Sequence, residues 1–417
     1  MAAATIVDVP VRDDVAPPLD GVRVCVLSTI PISTSRIVNR QCHALVRFGC
    51  TVILISPNVN QSSDGSFTRR HFKSLKGALG KLFSSPMILR PALRERADVY
   101  HVHTFQLLPV AVLLKVLFRK CVVYDMFEDF PSMVLTREWR PHWLRRLISK
   151  LVYEVEDAAC QIVDAVITAD PAVLRQYVKA GRRSGKTRRM VFYNFPASEV
   201  FFEKFTQGNW DRPKRYDLVY SGGMSERTGV FVLLDAIQKL AQRGIRPKVL
   251  MFGYTDTPGF KSEFLDRADK NGIQDCFELL GRVPHEGVPL LLRQARVGVV
   301  PLQPIPKFLK NIPTKVFEYW ACGLPIVASN LPPIRLFFRE GVYGHLVDPA
   351  SSQQFADAIC RLLQDPENAE RMGAQARNAV LHRFNTRPEQ LKLCRLYKQL
   401  IESQVGRDYH PLVRAQL

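Results

Sequence analysis

Short, continuous runs of apolar residues recur along the chain, and most are followed by an amphipathic stretch with helical spacing. Continuous runs are expected of parallel strands covered on both faces, because half-exposed strands alternate apolar and polar residues. In the first half the predicted strands are residues 22–28, 51–56, 98–103, 120–125, 163–168 and 190–194. In the second half they are residues 216–222, 247–253, 276–281, 296–302, 324–329 and 344–349.

Helices are predicted between many of these strands. In the first half they cover residues 36–48, 107–119 and 137–161. In the second half they cover residues 229–243, 286–295, 314–321, 352–364 and 366–384, with a last helix at about 387–404. Strands that alternate with helices form βαβ units and a mainly parallel sheet, so the pattern predicts an α/β fold.

The irregular stretch 195–215 separates the two series of strands, which predicts two doubly wound, Rossmann-like domains facing a central cleft. We assign residues 21–200 to the N-terminal domain and residues 201–386 to the C-terminal domain. Residues 1–20 form a flexible N-terminal tail. Residues 387–417 form a helix and tail that can fold back on either domain, with the N-terminal domain as the first choice. Ligands of such sheets bind outside the carboxyl ends of the strands, so the cleft is the predicted site.

Composition narrows the class of protein. Of the 417 residues, 47% are hydrophobic and 23% charged, which is ordinary for a soluble globular protein. No apolar run reaches the ~18 residues that span a bilayer, and the first residues lack the pattern of a signal peptide. The nine cysteines are scattered singly, which favours reduced, buried thiols in a cytosolic protein over a zinc site. The net charge of +19 favours an anionic partner: nucleic acid, an anionic membrane or a phosphorylated substrate.

The segment "KNIPTKVFEYWACGLPIVAS", residues 310–329, places an acid on a short helix just before a buried strand. Pro313 and Gly323 mark the ends of this helix. In one interpretation Lys315 and Glu318 are an ordinary solvated pair at i,i+3. In the other, the helix N-terminus and Lys315 bind a phosphate in the cleft, and Glu318 accepts two hydroxyls of a ribose. Periodicity alone does not choose between them.

The same segment resembles the donor-binding signature of the retaining glycosyltransferases of family 4, which have the GT-B fold. Further segments of the chain are similar to the family in order and approximate spacing: "DVYHVHTFQLLPVA", "VVYDMFEDFPSM", "VDAVITADPAVLRQYV", "VFYNFP", "LVYSGGMSERTGVFVLLDAI" and "LGRVPHEGVPLLLRQARVGVVPL". The motif "PTKxFEY" is that of a subgroup with an altered donor loop. The resemblance implies a nucleotide-sugar co-substrate and neither a metal nor another cofactor.

The resemblance also implies roles for residues of the donor loop. Glu318 corresponds to the second glutamate of the family's E-x7-E motif, which binds the ribose, and Lys315 becomes the candidate for the diphosphate. The first glutamate corresponds to Lys310, which cannot accept hydrogen bonds from the sugar, so sugar recognition differs or another acid substitutes. Asn311 and Thr314 complete the predicted donor-binding residues of this loop.

A second phosphate-binding element is predicted in "SGGMSERTG", residues 221–229. Gly222 and Gly223 let the backbone approach an anion closely. Many relatives carry an arginine and a lysine at the positions of Gly223 and Thr228, and Arg227 is the candidate to replace their charge. The alternative is a plain strand–turn–helix with a surface arginine.

Candidates in the first domain follow from "YHVHTF" and from the loop after the first strand. His103 corresponds to the family's cleft histidine and joins Glu318 and Lys315 as a predicted catalytic residue. The resemblance thus leaves His101 as a structural residue, and the alternative for the pair is that alternation buries one of the two rings in the core. Arg36 and Arg40, one helical turn apart, are predicted to meet an anionic acceptor.

The segment "YDMFEDFPSM" supplies one further acceptor-site candidate. Glu128 is predicted to bind acceptor hydroxyls, the alternative being that this acidic stretch caps the following turn. Phe127 stands where relatives often have a histidine, so any role of that histidine is absent here.

Two basic, amphipathic segments suit an anionic membrane interface. Residues 68–83 are the better candidate, whereas residues 137–151 are expected to be an ordinary helix packed on the sheet. The basic loop 182–189 can add to the same surface.

The sequence thus predicts a hexosyltransferase-type enzyme that uses a UDP- or GDP-linked sugar and a glycan or polyprenyl-linked acceptor. It is expected in the cytoplasm, at the inner membrane face, in polysaccharide or glycoconjugate biosynthesis. A non-catalytic GT-B scaffold that assists another transferase is the alternative. Nucleic-acid binding is disfavoured, because no recognised module is present and the basic residues are spread widely.

Overall fold

The computed structural model describes residues 19–30, 36–57, 66–75, 77–126, 128–136, 141–177, 187–202, 214–255 and 259–408. They form two α/β domains, each with its own parallel sheet. The fold class predicted from the apolar runs is confirmed, and all twelve predicted strands are present with shifts of a few residues at their ends.

The first sheet has seven parallel strands in the order β3-β2-β1-β4-β5-β6-β7. Their bounds are β1 Arg23–Leu27, β2 Thr51–Ser56, β3 Thr68–His71, β4 Val99–His103, β5 Cys121–Met126, β6 Ala165–Thr168 and β7 Arg188–Val191. The strand order reverses between β1 and β4, which places the crevice of this domain at the carboxyl ends of those two strands.

Helices cover both faces of the first sheet, and residues 36–42 form a π-helical stretch ahead of them. The α-helices are α1 His43–Arg47, α2 Gly77–Ser84, α3 Leu89–Arg94, α4 Leu108–Val116, α5 Phe130–Thr136, α6 His142–Ile162 and α7 Pro171–Gln176. Short 3-10 turns lie at Ser85–Ile88 and Phe105–Leu107.

The second sheet has six parallel strands in the order β10-β9-β8-β11-β12-β13. Their bounds are β8 Tyr216–Met224, β9 Val249–Thr255, β10 Phe277–Leu280, β11 Ala295–Val300, β12 Ile326–Ser329 and β13 Gly344–Val347. Its helices are α8 Ser198–Phe201, α9 Val230–Gln242, α10 Phe260–Lys270, α11 Val288–Leu292, α12 Thr314–Ala321, α13 Pro332–Arg335, α14 Ser352–Gln364 and α15 Pro366–His382, with 3-10 turns at Glu226–Thr228, Gln274–Cys276 and His285–Gly287.

The chain crosses between the domains at two places. Phe192 packs in the first-domain core, whereas Phe195 and Phe202 already pack in the second-domain core, so the crossing lies before the predicted boundary at residue 200. The last helix, α16 Thr386–Asp408, crosses back and buries Leu393 and Tyr397 among first-domain side chains.

Two local features differ from the sequence prediction. Strand β3 lies within the segment predicted to be a membrane-binding amphipathic stretch, and Phe72 just after it is buried in the core. Residues 68–83 are therefore an edge strand followed by a short helix rather than one amphipathic element. Strand β8 runs to Met224, two residues beyond the prediction, and carries Gly222 and Gly223 within the strand.

All nine cysteines are free, and eight of them are buried. Across the described residues we find no helix that is both long and apolar enough to cross a bilayer.

Candidate functional site

The predicted donor-binding residues converge at the carboxyl ends of the second sheet. The strand order reverses between β8 and β11, so the crevice of this sheet opens at the end of these two strands. Gly222 and Gly223 lie at the end of β8, and the loop after β11 leads into α12 with Thr314 and Lys315 in its first turn. These elements are distant in sequence and are brought together by the sheet topology.

Helix α12 is held in place by its apolar side. Pro313 occupies the N-cap position in an extended conformation, and Val316, Phe317 and Trp320 are buried in the second-domain core. The hydroxyl of Tyr319 accepts a hydrogen bond of 2.7 Å from the backbone N–H of Ser221, which ties α12 to the end of β8. The helix N-terminus, where the first backbone N–H groups are unpaired within the helix, is thereby fixed beside the glycine pair.

Lys315 lies directly against this glycine pair. Its Nζ is 4.2 Å from the centroid of the Tyr220 ring. A Cβ atom on Gly222 would come within 3.0 Å of the same Nζ, and Gly222 has φ +119°, so only glycine fits this position comfortably. Burial lowers the pKa of Lys315 to about 8, although the Glu318 carboxylate opposes this shift. Lys315 forms no salt bridge with the residues that the structure describes.

Glu318 follows one turn later and is mostly buried. Its Oε1 is 3.6 Å from Nε2 of His285, in the turn after β10. Sequence reasoning did not single out His285, and "GRVPHEG" offered no signal beyond the resemblance itself. Thr314 is half-buried in the first turn of α12. Lys315 and Glu318 therefore present a cation and a carboxylate on one side of the same helix.

Two predicted donor residues contact the opposite domain instead. The Lys310 ammonium donates to Asp129 Oδ2 at 2.9 Å, Ser132 Oγ at 2.9 Å and Gln176 Oε1 at 3.1 Å. The Asn311 amide donates to Asp170 Oδ2 at 2.8 Å. The residue at the position of the family's first glutamate thus bridges the cleft.

Asp170 and Arg227 add to this bridge. Asp170 Oδ1 accepts from the backbone N–H of Ile312 at 2.6 Å. Burial raises the pKa of Asp170 to about 7, against the lowering effect of its hydrogen bonds. Arg227, expected at the diphosphate, donates from Nη1 to the backbone carbonyl of Thr136 at 2.6 Å. In this conformation Arg227 therefore joins the two domains.

The structure places Arg36 in the core, in contrast to its predicted role at an acceptor. Its guanidinium donates to both oxygens of Asp125, at 3.1 and 2.8 Å, and to Phe192 O and Asn194 Oδ1 at 2.8 and 2.7 Å. Gln41 Nε2 also donates to Asp125 at 2.6 Å. Burial alone would raise the pKa of Asp125, but Arg36 and the neighbouring histidines hold it well below its usual range. Arg36 is thus saturated by partners within the protein.

Arg40 is likewise buried, and its Nε donates to Phe195 O at 2.6 Å. Burial lowers the pKa of Arg40 to about 10, while the Glu318 carboxylate opposes this shift. Arg36 and Arg40 are one turn apart and therefore lie on the same face of this segment. That face points into the protein. The predicted exposed, anion-binding arginine pair is absent from the described structure.

The two histidines of β4 are stacked and fully buried, with ring centroids 4.5 Å apart. His101 Nδ1 is hydrogen bonded to the Tyr397 hydroxyl of α16 at 2.7 Å, as suits a structural residue. Both ring nitrogens of His103 are without a hydrogen-bond partner among the described residues, and Nδ1 is 3.6 Å from Asp125 Oδ2. Burial and the neighbouring His101 hold the pKa of His103 well below its usual range, so its ring is neutral.

Thr104, which follows His103, has φ +77°, a strained conformation for a β-branched residue. Its hydroxyl is 2.9 Å from that of Thr29 in the loop after β1. Sequence reasoning did not find this residue, because nothing in its identity signals a positive φ. The strain lies at the switch point of the first sheet, where it fixes the direction of the chain after His103.

His101, His103 and Asp125 are close enough together for a metal ion to be considered. However, both Asp125 oxygens already accept hydrogen bonds from the Arg36 guanidinium. A cation would have to compete with that guanidinium for the same carboxylate. The cluster fits a charge-balanced core better than a metal site.

Glu128, the predicted acceptor-site residue, lies at the cleft. Glu128 Oε1 is 3.7 Å from Lys307 Nζ across the cleft, with both side chains about a third exposed. Phe127 lies outside the described residues, as do residues 137–140 and 182–186 of the two other basic segments.

Family models match both domains. The model "Glycosyltransferase Family 4" matches residues 34–194, and the model "Glycosyl transferases group 1" matches residues 202–379. The chain is 29% identical over 182 residues to a phosphatidyl-myo-inositol mannosyltransferase of Mycobacterium leprae, an alignment that covers 42% of this chain and 44% of that protein. The curated relatives it matches are aligned over about half of their own length.

Solved structures agree on the fold. A sucrose-phosphate synthase from Thermosynechococcus elongatus superposes with a TM-score of 0.71 at 18% identity, over 92% of this chain and 100% of that one. HepE of Anabaena, in complex with UDP, superposes with a TM-score of 0.62 at 17% identity, over 90% and 100% of the two chains. Two glycosyltransferase family models in tandem and a two-domain GT-B fold together support a group 1 glycosyltransferase of the GT-B class.

Proposed function

We propose that the protein transfers a sugar from a nucleoside diphosphate sugar to a glycan or lipid-linked acceptor, with retention of configuration at the anomeric carbon. The observation that carries this proposal is Lys315, a half-buried cation at the N-terminus of α12, fixed against Gly222 with Glu318 one turn behind it. A diphosphate that meets Lys315 leaves its ribose within reach of that carboxylate.

Lys315 and the α12 N-terminus would stabilise the leaving diphosphate. The bond between the anomeric carbon and the diphosphate oxygen breaks, and its electron pair goes to the diphosphate. An aligned cation and helix N-terminus act most strongly on this developing charge. The acceptor oxygen attacks from the same face, and its proton passes to a donor phosphate oxygen. This route uses no metal ion and no nucleophile from the protein.

His103 is the first-domain group assigned to the donor sugar. Its ring is neutral, and one nitrogen can donate while the other accepts. The two nitrogens without a partner among the described residues support this role. Glu128, partly exposed at the cleft, is the group assigned to acceptor hydroxyls.

The substrate classes follow from the relatives. HepE of Anabaena was solved with UDP, which supports UDP as the first donor to test, with GDP as the second. The Mycobacterium leprae relative is named as a mannosyltransferase of phosphatidyl-myo-inositol, which supports a lipid-linked acceptor. We place the reaction in glycoconjugate or polysaccharide biosynthesis, at the cytoplasmic face of the membrane.

A non-catalytic scaffold remains the second candidate because Lys310, at the position of an acid in the family, bridges the domains. Measured hydrolysis of or transfer from a panel of UDP-, GDP- and ADP-sugars separates the two. Tight nucleotide binding without turnover of any donor would favour the scaffold.

Glu318→Ala tests the ribose assignment. It is expected to lower kcat/KM by about a hundredfold, since hydrogen bonds to a charged group contribute roughly 1.5–3 kcal/mol. The matched control is Glu402→Ala, which removes an exposed acid of α16 and should leave kcat/KM unchanged. A near-normal kcat/KM for Glu318→Ala, with a wild-type Tm, would contradict the assignment.

A further inference from the structure

Helix α6 carries a row of large apolar side chains on its outward face. Trp143, Leu147 and Leu151 are 67%, 58% and 63% exposed, and Val155 and Ile162 continue the row. We call these five residues the α6 stripe. At 100° per residue they fall within about 120° of the helix circumference, so they form one face. Scattered exposed leucines are normal, but a continuous row along one helix is not.

The inward face of α6 is polar by comparison. Glu156 is fully buried and accepts hydrogen bonds of 2.6 Å from the hydroxyls of Tyr124 and Tyr177. Ser149 donates to the backbone carbonyl of Pro131 at 2.9 Å. These bonds fix the rotation of the helix about its axis. The α6 stripe is therefore held outward and cannot turn toward the core without breaking a buried hydrogen-bond network.

A neighbouring element extends the apolar surface. Helix α4 packs against α6, and Val116, Leu117 and Phe118 at its end are also exposed. Lys115 of α4 forms a salt bridge of 2.6 Å with Asp164, just after α6, so these exposed residues follow α4 near the end of α6.

Positive charge accompanies this surface. Arg146 and Lys150 are exposed next to the α6 stripe, and residues 142–150 contain no acid. Arg119 is exposed beside Phe118, and Glu154 is the acid on the outward side of α6. Apolar side chains flanked by arginine and lysine, with a tryptophan at the end, are typical of a helix that lies in an anionic lipid interface.

The α6 stripe begins beside the cleft. Helix α5, which packs against α6, contains Ser132 and Thr136, the residues that receive Lys310 and Arg227 from the second domain. Trp143, in the first turn of α6, therefore lies at the end of the helix nearest the contact between the domains. A surface in contact with the α6 stripe would run alongside the cleft.

We propose that the α6 stripe, with Val116, Leu117 and Phe118, docks the first domain onto the surface of an anionic lipid bilayer. The proposal rests on the proposed function in one respect, namely that a lipid-linked acceptor would then be presented next to the cleft. The proposed surface differs from the sequence prediction, which favoured residues 68–83 for the membrane; α6 also packs on the fold, as predicted for 137–151, through Glu156 and its other buried residues. The helix was predicted correctly, but its apolar side faces outward.

Vesicle co-sedimentation of the full chain tests the docking. Wild type should bind phosphatidylcholine vesicles that contain phosphatidylglycerol, and binding should weaken as salt rises. Leu147→Ser/Leu151→Ser should lower the partition coefficient by about tenfold or more, because two buried leucines are lost from the interface. The matched control is Leu336→Ser, which removes a leucine of similar exposure from the second domain and should bind as wild type.

A second pair of variants tests how much the basic residues beside the α6 stripe contribute to vesicle binding. Arg146→Gln/Lys150→Gln should remove most of the preference for phosphatidylglycerol and the salt dependence. Lys261→Gln/Lys270→Gln, on the exposed side of α10, removes equal charge elsewhere and should change little.

Three results would overturn the proposal: no binding of wild type to anionic vesicles, equal binding of the α6 variants, or a change of the α6 variants from oligomer to monomer with unchanged vesicle binding. The last result would assign the surface to a second copy of the chain. Hydrolysis of the donor sugar in solution and the Tm are measured on the same samples. Loss of vesicle binding with intact hydrolysis supports docking, whereas absence of hydrolysis in wild type bears on the proposed function alone.

Discussion

Asp125 in the first domain and Lys315 in the second are charged groups beside the carboxyl ends of parallel strands, the first fully buried and the second half-buried, and their surroundings differ. Asp125 accepts hydrogen bonds from Arg36 and Gln41, with His101 and His103 nearby. Lys315 lies over the face of Tyr220, and Glu318 opposes the shift of its pKa.

The difference is visible in the direction of the pKa shifts. The pKa of Asp125 is lowered despite burial, because its partners favour the charged form. The pKa of Lys315 is lowered to about 8 because burial is incompletely offset. A buried charge such as Asp125, which is already compensated by charged and hydrogen-bonding partners within the protein, stabilises the fold. A partly desolvated charge that the protein balances less completely is stabilised by an incoming ion of opposite sign, and on this basis we propose Lys315 as the ligand-binding member of the pair.

Arg36→Met is expected to have the largest effect, which is a loss of stability of the folded protein. Removing one member of a buried ion pair leaves Asp125 uncompensated and should lower the free energy of unfolding by about 3–5 kcal/mol. Urea unfolding followed by circular dichroism measures it. The control is Arg243→Met, which breaks an exposed pair with Asp357 and should cost about 1 kcal/mol or less. Equal losses in the two variants would show that burial does not distinguish these pairs.

Lys315→Met, in contrast, should lower the activity without lowering the stability of the fold. Loss of a cation aimed at the leaving group should lower kcat by about 10²–10³-fold. The Tm should be unchanged or slightly higher, because a desolvated charge is removed. Lys270→Met, on the exposed side of α10, is the control. A Tm that falls as far as that of Arg36→Met would place Lys315 among the structural charges.

The pH dependence of UDP binding tests whether Lys315 contacts the diphosphate. UDP needs the charged lysine, so its affinity should be full well below pH 8 and fall as pH rises through the pKa of Lys315, about 8. Calorimetric titration over this range measures the change. Lys315→Arg keeps its charge at every pH used and should show a flat profile. A sloping profile in Lys315→Arg would assign the titration to another group.

Lys310→Met is expected to have the smallest effect. Lys310 is partly exposed, so loss of its bond to Asp129 should cost only about 1 kcal/mol. A double-mutant cycle with Asp129→Asn measures the coupling of the two side chains. Small-angle scattering should show a larger radius of gyration if this bond holds the cleft closed. Additive effects with an unchanged radius would contradict a bridging role.

Much of the fold was predictable because its strands are buried on both faces. Apolar runs such as residues 51–56 and 296–302 have few alternatives to a parallel strand. Strand β3 was missed because "TRRH" lies at the sheet edge, where side chains are largely exposed and the run is polar. Helix α6 was found, but the hydrogen bonds of Glu156 that decide which of its faces points outward involve residues from other elements.

The site was predictable only in part, for a related reason. Lys315 and Glu318 lie on one short helix, so sequence spacing alone places them together. The bridge from Lys310 to Asp129 joins residues that are 181 positions apart, and no local pattern carries that information. Arg36 and Arg40 share a face of their helical segment by spacing, but spacing does not tell whether that face points toward solvent or toward Asp125.

The two chain crossings between the domains lie side by side. Glu389 of α16 accepts a hydrogen bond of 2.9 Å from the backbone N–H of Tyr193, and the rings of Phe195 and Phe384 are 5.7 Å apart. A rigid body joined to another at two neighbouring points keeps one easy rotation, about the line through those points. Opening of the cleft would therefore be a hinge rotation of one domain relative to the other. The hinge axis would pass near Tyr193, Phe195 and Phe384, and both hydrophobic cores would stay intact. Within the described part of the chain, opening would release the bridging bonds of Lys310, Asn311, Ile312 and Arg227 and the ion pair between Lys307 and Glu128.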